Sequence, residues 1–320
     1  MRTLPPRVAR VRRLTGSASV AVRSLLLGAP QELTTAAVYP AALHLAEPST
    51  GRIRLALVAH DGVAHPHAMV LTLPRDAVPF DGIRVYDAFQ VGERRVVTPR
   101  GDHVEVARWW SPRPVLGHVD PPVLQEGVRI VDRHLAELAP PLEDLERSRL
   151  HALTEAVIND DGDLAAAAAH GLLGLGAGST PTGDDLLAGL IAGMRLLVPA
   201  TEPDMARSVA LVSDLADQLV TASVSATTAV SHALLRHAVA GEVCRPAARL
   251  LVVLVRDVSE GTRREALEGL LRVGSLSGRD LAYGLLAAAT IATAPEPGRA
   301  RPLVVPTSLS MPSMSSPGRV

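Results

Sequence analysis

Three aspartates, Asp184, Asp185 and Asp280, stand in two runs that read alike, each mixing carboxylates with glycine and hydroxyl residues. The first run is Gly174-Leu175-Gly176-Ala177-Gly178-Ser179-Thr180-Pro181-Thr182-Gly183-Asp184-Asp185, between the apolar stretches Leu164–Leu173 and Leu186–Val198. Glycine alone reaches positive φ cheaply and leaves its amides uncovered, so the composition suits a loop whose backbone approaches something closely. A helix start follows. Thr182 is placed to cap it, with Asp185 three residues on as reciprocal partner; in a second register Thr180 caps and Pro181 takes the first helical position. In either register, free N–H groups and the helix dipole favour an anion near Gly176, Gly178 and Ser179. A purely structural turn is the plainer account of the same residues, because a lone glycine-rich loop is a weak signal.

The second run changes the balance. In Ser277-Gly278-Arg279-Asp280-Leu281-Ala282-Tyr283-Gly284-Leu285-Leu286-Ala287, Gly278, Asp280, Leu281, Gly284, Leu285 and Ala287 fall on Gly183, Asp185, Leu186, Gly189, Leu190 and Ala192. Ser277 likewise falls on Thr182. Glycine is costly in a helix's first turn, so the recurrence of Gly183 and Gly278 predicts close approach to a ligand or to neighbouring backbone. The shared small, apolar face predicts two helices that pack on each other. Their N-termini would then bring Asp185 and Asp280 to one pocket. Thr180, Thr182 and Gly183 line one side of it, with Ser275, Ser277, Gly278 and Arg279 on the other. Two roles stay open for the acids. A Mg²⁺ ion on Asp184 and Asp185 would reconcile carboxylates with an anionic ligand. Alternatively, one aspartate is a general base toward an amide or amine, its pKa tuned by burial, while Arg279 neutralises substrate charge.

The runs GLGAGSTPTGDDLLAGL, TTAVSHALLRHAVAGE and VGSLSGRDLAYGLL resemble the oxamate carbamoyltransferase subunit AllH-like family, over roughly residues 150 to 290. That resemblance implies a place in allantoin catabolism, in a complex with other subunits. There carbamoyl phosphate and oxamate exchange with oxalurate and phosphate. It carries no catalytic residues over, so the acids and loops above rest on their own chemistry. Two rivals remain. One is a non-catalytic subunit whose two loops are capped helix starts that dock a partner. The other, a nucleotide-binding kinase-like enzyme, is disfavoured because the loop lacks the phosphate-loop lysine and its strand–loop–helix setting.

All 32 basic residues are arginine, which excludes a lysine Schiff base and a lysine general base as well. The net charge of −1 over 320 residues gives no basic field for nucleic acid. Cys244 is the one cysteine, so no disulfide can form within the chain, which fits a reducing cytosol; its apolar surroundings predict an inert buried thiol. The apolar stretches beginning at Asp185 and Asp280 are too short to cross a bilayer, and no apolar leader core follows the early arginines. These observations predict a cytoplasmic protein with no membrane partner.

The elements that must position the acids follow from periodicity. The sequence predicts an α+β chain. Residues 1–116 form a β-rich barrel or sandwich-like part with a basic N-terminal arm, 117–294 a mostly helical domain, and 295–320 a disordered tail. Arg52–Val58, Ile83–Tyr86 and His103–Val106 alternate as strands, with turns at Asp61-Gly62, Phe80–Gly82 and Arg100–Asp102. Ser17–Leu27 reads as a first strand or a short helix. Helices are expected over Val123–Leu138, Leu142–Ile158, Leu164–Leu173 and Asp204–Val220, then Thr227–Ala240, Arg245–Val255 and Arg263–Val273, with the echo helix running to Thr293. Asn159–Asp163 lacks the spacing of a calcium loop and reads as an acidic turn. Trp109 and Trp110 mark a packing seam. His65 and His67 share a strand face but find no further ligand at a recognisable spacing, so they read as surface histidines. His170 is the histidine to test for acid–base work. The hydroxyls from Thr221 to Ser231 read as donors to an anion or as caps.

Overall fold

A computed structural model describes residues 13–59, 62–74, 77, 80–201 and 206–294, with the side chains of 206–209 excepted. The basic arm up to residue 12, Asp61 and the tail from Pro295 therefore lie outside the described residues. The chain divides into two compact units, one ending at Pro112 and the other beginning at Arg113.

The first unit is a closed eight-stranded barrel in the order β1-β5-β4-β3-β2-β6-β7-β8. Its strands are β1 (Arg13–Ser19), β2 (Gln31–Val38), β3 (Ala42–Ala46), β4 (Ile53–Val58), β5 (Ala68–Thr72), β6 (Ala88–Gly92), β7 (Arg95–Val97) and β8 (His103–Trp110). The ring closes through a parallel pairing of β1 with β8, running from Arg13 opposite His103 to Ser19 opposite Trp110. Alternation explains the filling. Leu33, Leu43, Leu45, Leu55, Leu57, Phe89, Val91 and Val104 point into one buried cluster, which Leu25 and Leu26 of the short helix α1 (Arg23–Leu27) join. Ala56, Val58 and Ala68 form a smaller cluster against Trp110, so β4 is covered on both faces. Trp109 packs on the main cluster, with the Arg23 guanidinium 5.6 Å from its ring.

Two sequence expectations are overturned in this unit. Ile83–Tyr86 is not a strand. Asp87 accepts the Arg84 N–H through its side chain at 2.8 Å, and Tyr86 turns to φ 75° while its N–H reaches the Thr35 carbonyl. A local side-chain bond has outcompeted alternation. Nor is His67 on the surface. It is 1% exposed, and β3 brings His44, 3% exposed, to 3.4 Å from it, Nδ1 to Nε2. The His65 ring stacks on His67 at 6.0 Å. Burial, and secondarily the neighbouring His65, hold His44 down at a pKa of about 3.

In the second unit the described helices are α2 (Pro121–Leu138), α3 (Asp144–Ile158), α4 (Gly162–Leu172), α5 (Thr182–Thr201) and α6 (Ala206–Ala226). Then come α7 (Ala229–Val239), α8 (Arg245–Leu254), α9 (Glu260–Leu271) and α10 (Ser277–Thr293). The acidic turn caps α4, with the Asp161 side chain accepting the Leu164 N–H. Helices α5 and α10 are buried almost all round and pack on each other along most of their length, as befits helices with no polar face. Gly189 and Gly284 let them approach. A methyl on Gly189 would press on the Leu281 carbonyl and the Gly284 Cα, and one on Gly193 on the Ala288 methyl. No described helix is long and apolar enough to cross a membrane.

Candidate functional site at the paired helix starts

The echo in sequence is an echo in structure: helix α4, a turn and helix α5, then helix α9, a turn and helix α10. Gly183 and Gly278 do the same job in each copy. A Cβ on Gly183 would overlap the Leu172 carbonyl at the end of α4, and one on Gly278 the Leu270 carbonyl of α9. What approaches closely is therefore the preceding helix.

The capping expectation is replaced by another arrangement. Helix α5 begins at Thr182, with the Pro181 carbonyl accepting from the Asp184 and Asp185 amides; Leu276 precedes α10 without a side-chain cap. Neither Thr182 nor Ser277 is the cap residue. Instead the Thr180 and Ser277 hydroxyls bond each other at 2.8 Å and tie the two turns together. Thr180, Ser277 and Asp185 share one polar knot, and Thr182 bonds Asp280.

The three acids are distinct. Asp184, 2% exposed, accepts the Gly174 N–H at 2.8 Å and the Thr227 hydroxyl, so it holds the glycine-rich turn to the α6–α7 junction. The Thr228 hydroxyl donates to the Ser179 carbonyl at 2.6 Å and so adds a second tie. Asp280, 1% exposed, accepts from Arg279 through Nε at 2.7 Å and Nη2 at 2.6 Å. Arg279, 6% exposed, gives its remaining nitrogen to the Pro141 carbonyl at 3.1 Å, so the cation is bound within the protein. Burial raises Asp280 to about 6 against the pull of Arg279. Asp185, 1% exposed, has an Oδ2 with no hydrogen-bond partner. Burial is the main cause that pushes it to about 8; hydrogen bonds from Ser277 and Thr180 oppose this, and the Asp280 charge adds to it. At neutral pH burial thus favours Asp185 as a carboxylic acid beside the Asp280 carboxylate.

In the glycine-rich turn, Gly176, Ala177, Gly178 and Ser179 are exposed. Gly176 and Gly178 sit at φ 110° and 96°, open to glycine alone, and the amides of residues 176–178 make no backbone hydrogen bond among the described residues. Ser275 is exposed on the facing turn. A cavity of about 380 Å³ in this unit lies further along α5 and does not include the three acids. His170 is exposed on α4, bonded to the Ala166 carbonyl and apart from the acids. The donors for Mg²⁺ do not converge. Both Asp184 oxygens are engaged, and among the described residues no three His, Cys, Asp or Glu side chains are arranged to hold a metal ion.

The matching motifs, the packed helices and the joined turns all fall within one stretch of chain. Residues 172–289 match the family model for oxamate carbamoyltransferase subunit AllH. The AllH match starts at the last residue of α4 and ends inside α10, so it contains both turns and all three acids. The chain matches no curated protein and no solved structure.

Sequence reasoning singled out Thr227 and Thr228 only as members of a hydroxyl-rich run. It missed Glu146 of α3, whose charge raises Asp280, and Tyr283, which is 2% exposed and shifted upward by burial. No motif marks these residues. The one signal was that Arg279, next to Asp280, sits on a helix with no room for an unpaired charge.

Proposed function

We propose that the chain is a subunit of a carbamoyltransferase system acting on small carboxylate and amide substrates, with its site at the paired starts of α5 and α10. The AllH match over both turns carries this reading. On it, the exposed amides at Gly176, Gly178 and Ser179 hold the phosphate of carbamoyl phosphate. The amide nitrogen of oxamate attacks the carbamoyl carbon, a C–N bond forms, and the C–O bond to phosphate breaks. Asp280 takes the proton from that nitrogen and passes it to the departing phosphate, which leaves as hydrogen phosphate beside oxalurate. Asp185, as the neutral acid, donates to the carbonyl oxygen as charge gathers there. Because Asp185 Oδ2 is buried, this chemistry requires the paired turns to open when substrate enters. No step runs through a cation.

A docking subunit is the second reading. It is favoured by how completely Thr180, Ser277, Arg279 and Asp280 satisfy one another inside the protein. Calorimetric titration of the full-length chain with carbamoyl phosphate and with oxamate separates the two. The proposal expects saturable binding that falls at least tenfold in Asp185→Asn and in Asp280→Asn while the fold is retained. Absence of binding to the folded wild type, or unchanged binding in both variants, would leave the docking reading in its place.

A further inference from the structure

About three turns along α5 from Asp185, roughly 15 Å at 1.5 Å per residue, helices α5, α6 and α7 enclose the cavity of about 380 Å³. Part of its wall is apolar: Met194 and Val198 from α5, Val212 from α6 and Val239 from α7. Two guanidinium groups border them, Arg195 and Arg113. Arg195 is half-buried. Its Nε donates to the Val239 carbonyl at 2.9 Å and its Nη1 to the Ser213 hydroxyl at 2.8 Å. Both partners are neutral. Arg279 has Asp280, whereas Arg195 takes part in no ion pair among the described residues. A cation drawn partly out of water without an opposite charge is costly, and a bound anion lowers that cost. Arg113 adds a second positive charge on the same rim, and no acid among the described residues lines the cavity.

We propose that this cavity is a binding site for a small organic carboxylate with an apolar body. The carboxylate pairs with Arg195, whose planar fork suits it, and the body lies against Met194, Val198 and Val212. The volume lies at the small end of ligand pockets, which sets the size of the ligand. The site shares α5 with the acids but none of their residues, so it stands whatever the chemistry at Asp185.

The test uses 4-phenylbutanoate and its neutral amide as probes, titrated into the full-length chain by calorimetry. The carboxylate should bind at least tenfold more tightly than the amide and more tightly than acetate, which lacks the body. Arg195→Met should remove the preference for the carboxylate. Because Arg195 also ties α5 to α7, a second variant guards against simple unfolding. Ala240→Phe, at an exposed rim position, should block the carboxylate with the melting temperature unchanged. Asp185→Asn should bind it as the wild type does. Equal affinity for acid and amide, no binding of either, or undiminished binding in Ala240→Phe would each overturn the proposal.

Discussion

Asp185 is a carboxyl group that the fold keeps neutral. Its raised pKa, about 8 against an ordinary value of 3.8, means the folded chain holds its proton where the unfolded chain has lost it. Stability from this group is therefore complete below pH 4 and drains away as pH rises toward 8. Asp185→Asn, which mimics the neutral form, is expected to flatten this loss. Melting temperatures of the helical unit measured from pH 5 to 9 should converge at the acid end, with the variant ahead at the alkaline end. A wild type that gains stability between pH 6 and 8 at this unit would contradict the buried acid. The sequence spacing assigns this residue the wrong local partner. Thr182 and Asp185 have the spacing of a capping box, and spacing cannot tell that Pro181 will sit at the cap and send Asp185 inward.

At the scale of elements, the duplicated helix–turn–helix depends on glycines that were read as possible ligand contacts and turn out to admit backbone. Gly183 and Gly278 lie under the carbonyls of Leu172 and Leu270, fixed atoms that cannot swing aside as a side chain would. Alanine at either position should cost roughly 1–3 kcal/mol or more, as overpacking does. The two substitutions should cost similar amounts, because the surroundings match. Chemical denaturation of each variant measures this; a neutral Gly278→Ala beside a costly Gly183→Ala would show that the two copies are not equivalent. The helices themselves were legible, since apolar periodicity over ten or more residues survives any tertiary context. Short β segments were less so. Ile83–Tyr86 alternates like a strand, yet the Asp87 side chain takes the Arg84 N–H and turns the segment, leaving only its end bonded to β2.

Across the whole molecule, the most strongly shifted buried groups of the two units link stability to pH in opposite directions. In the barrel His44 is held neutral, with its pKa lowered to about 3, so it contributes stability above pH 6.5 that is lost as pH falls toward 3. The helical unit loses stability in the other direction, as pH rises through the range of Asp280 and Asp185. Hydrogen exchange followed separately in residues 13–110 and 121–293 should show barrel protection declining below pH 6 and helical protection declining above it. His44→Gln should remove the part of the first trend above about pH 4.5 alone, since below that Glu47, lowered to about 2 mainly by Arg52, also contributes. Parallel trends in both units would defeat this. The architecture of both units was readable from composition and pattern, but this opposition was not. His44 lies far in sequence from His65 and His67, and only the pairing of β3 with β4 and of β4 with β5 brings it beside them.

Because β1 and β8 seal the barrel, every strand among the described residues has a neighbour on each side. Along these eight described strands an incoming polypeptide finds no unsatisfied row of main-chain donors and acceptors to extend, so strand addition to them is closed. Any companion chain that grips the barrel must do so through side chains, which makes such recognition sensitive to point substitutions on its outer surface and indifferent to backbone register.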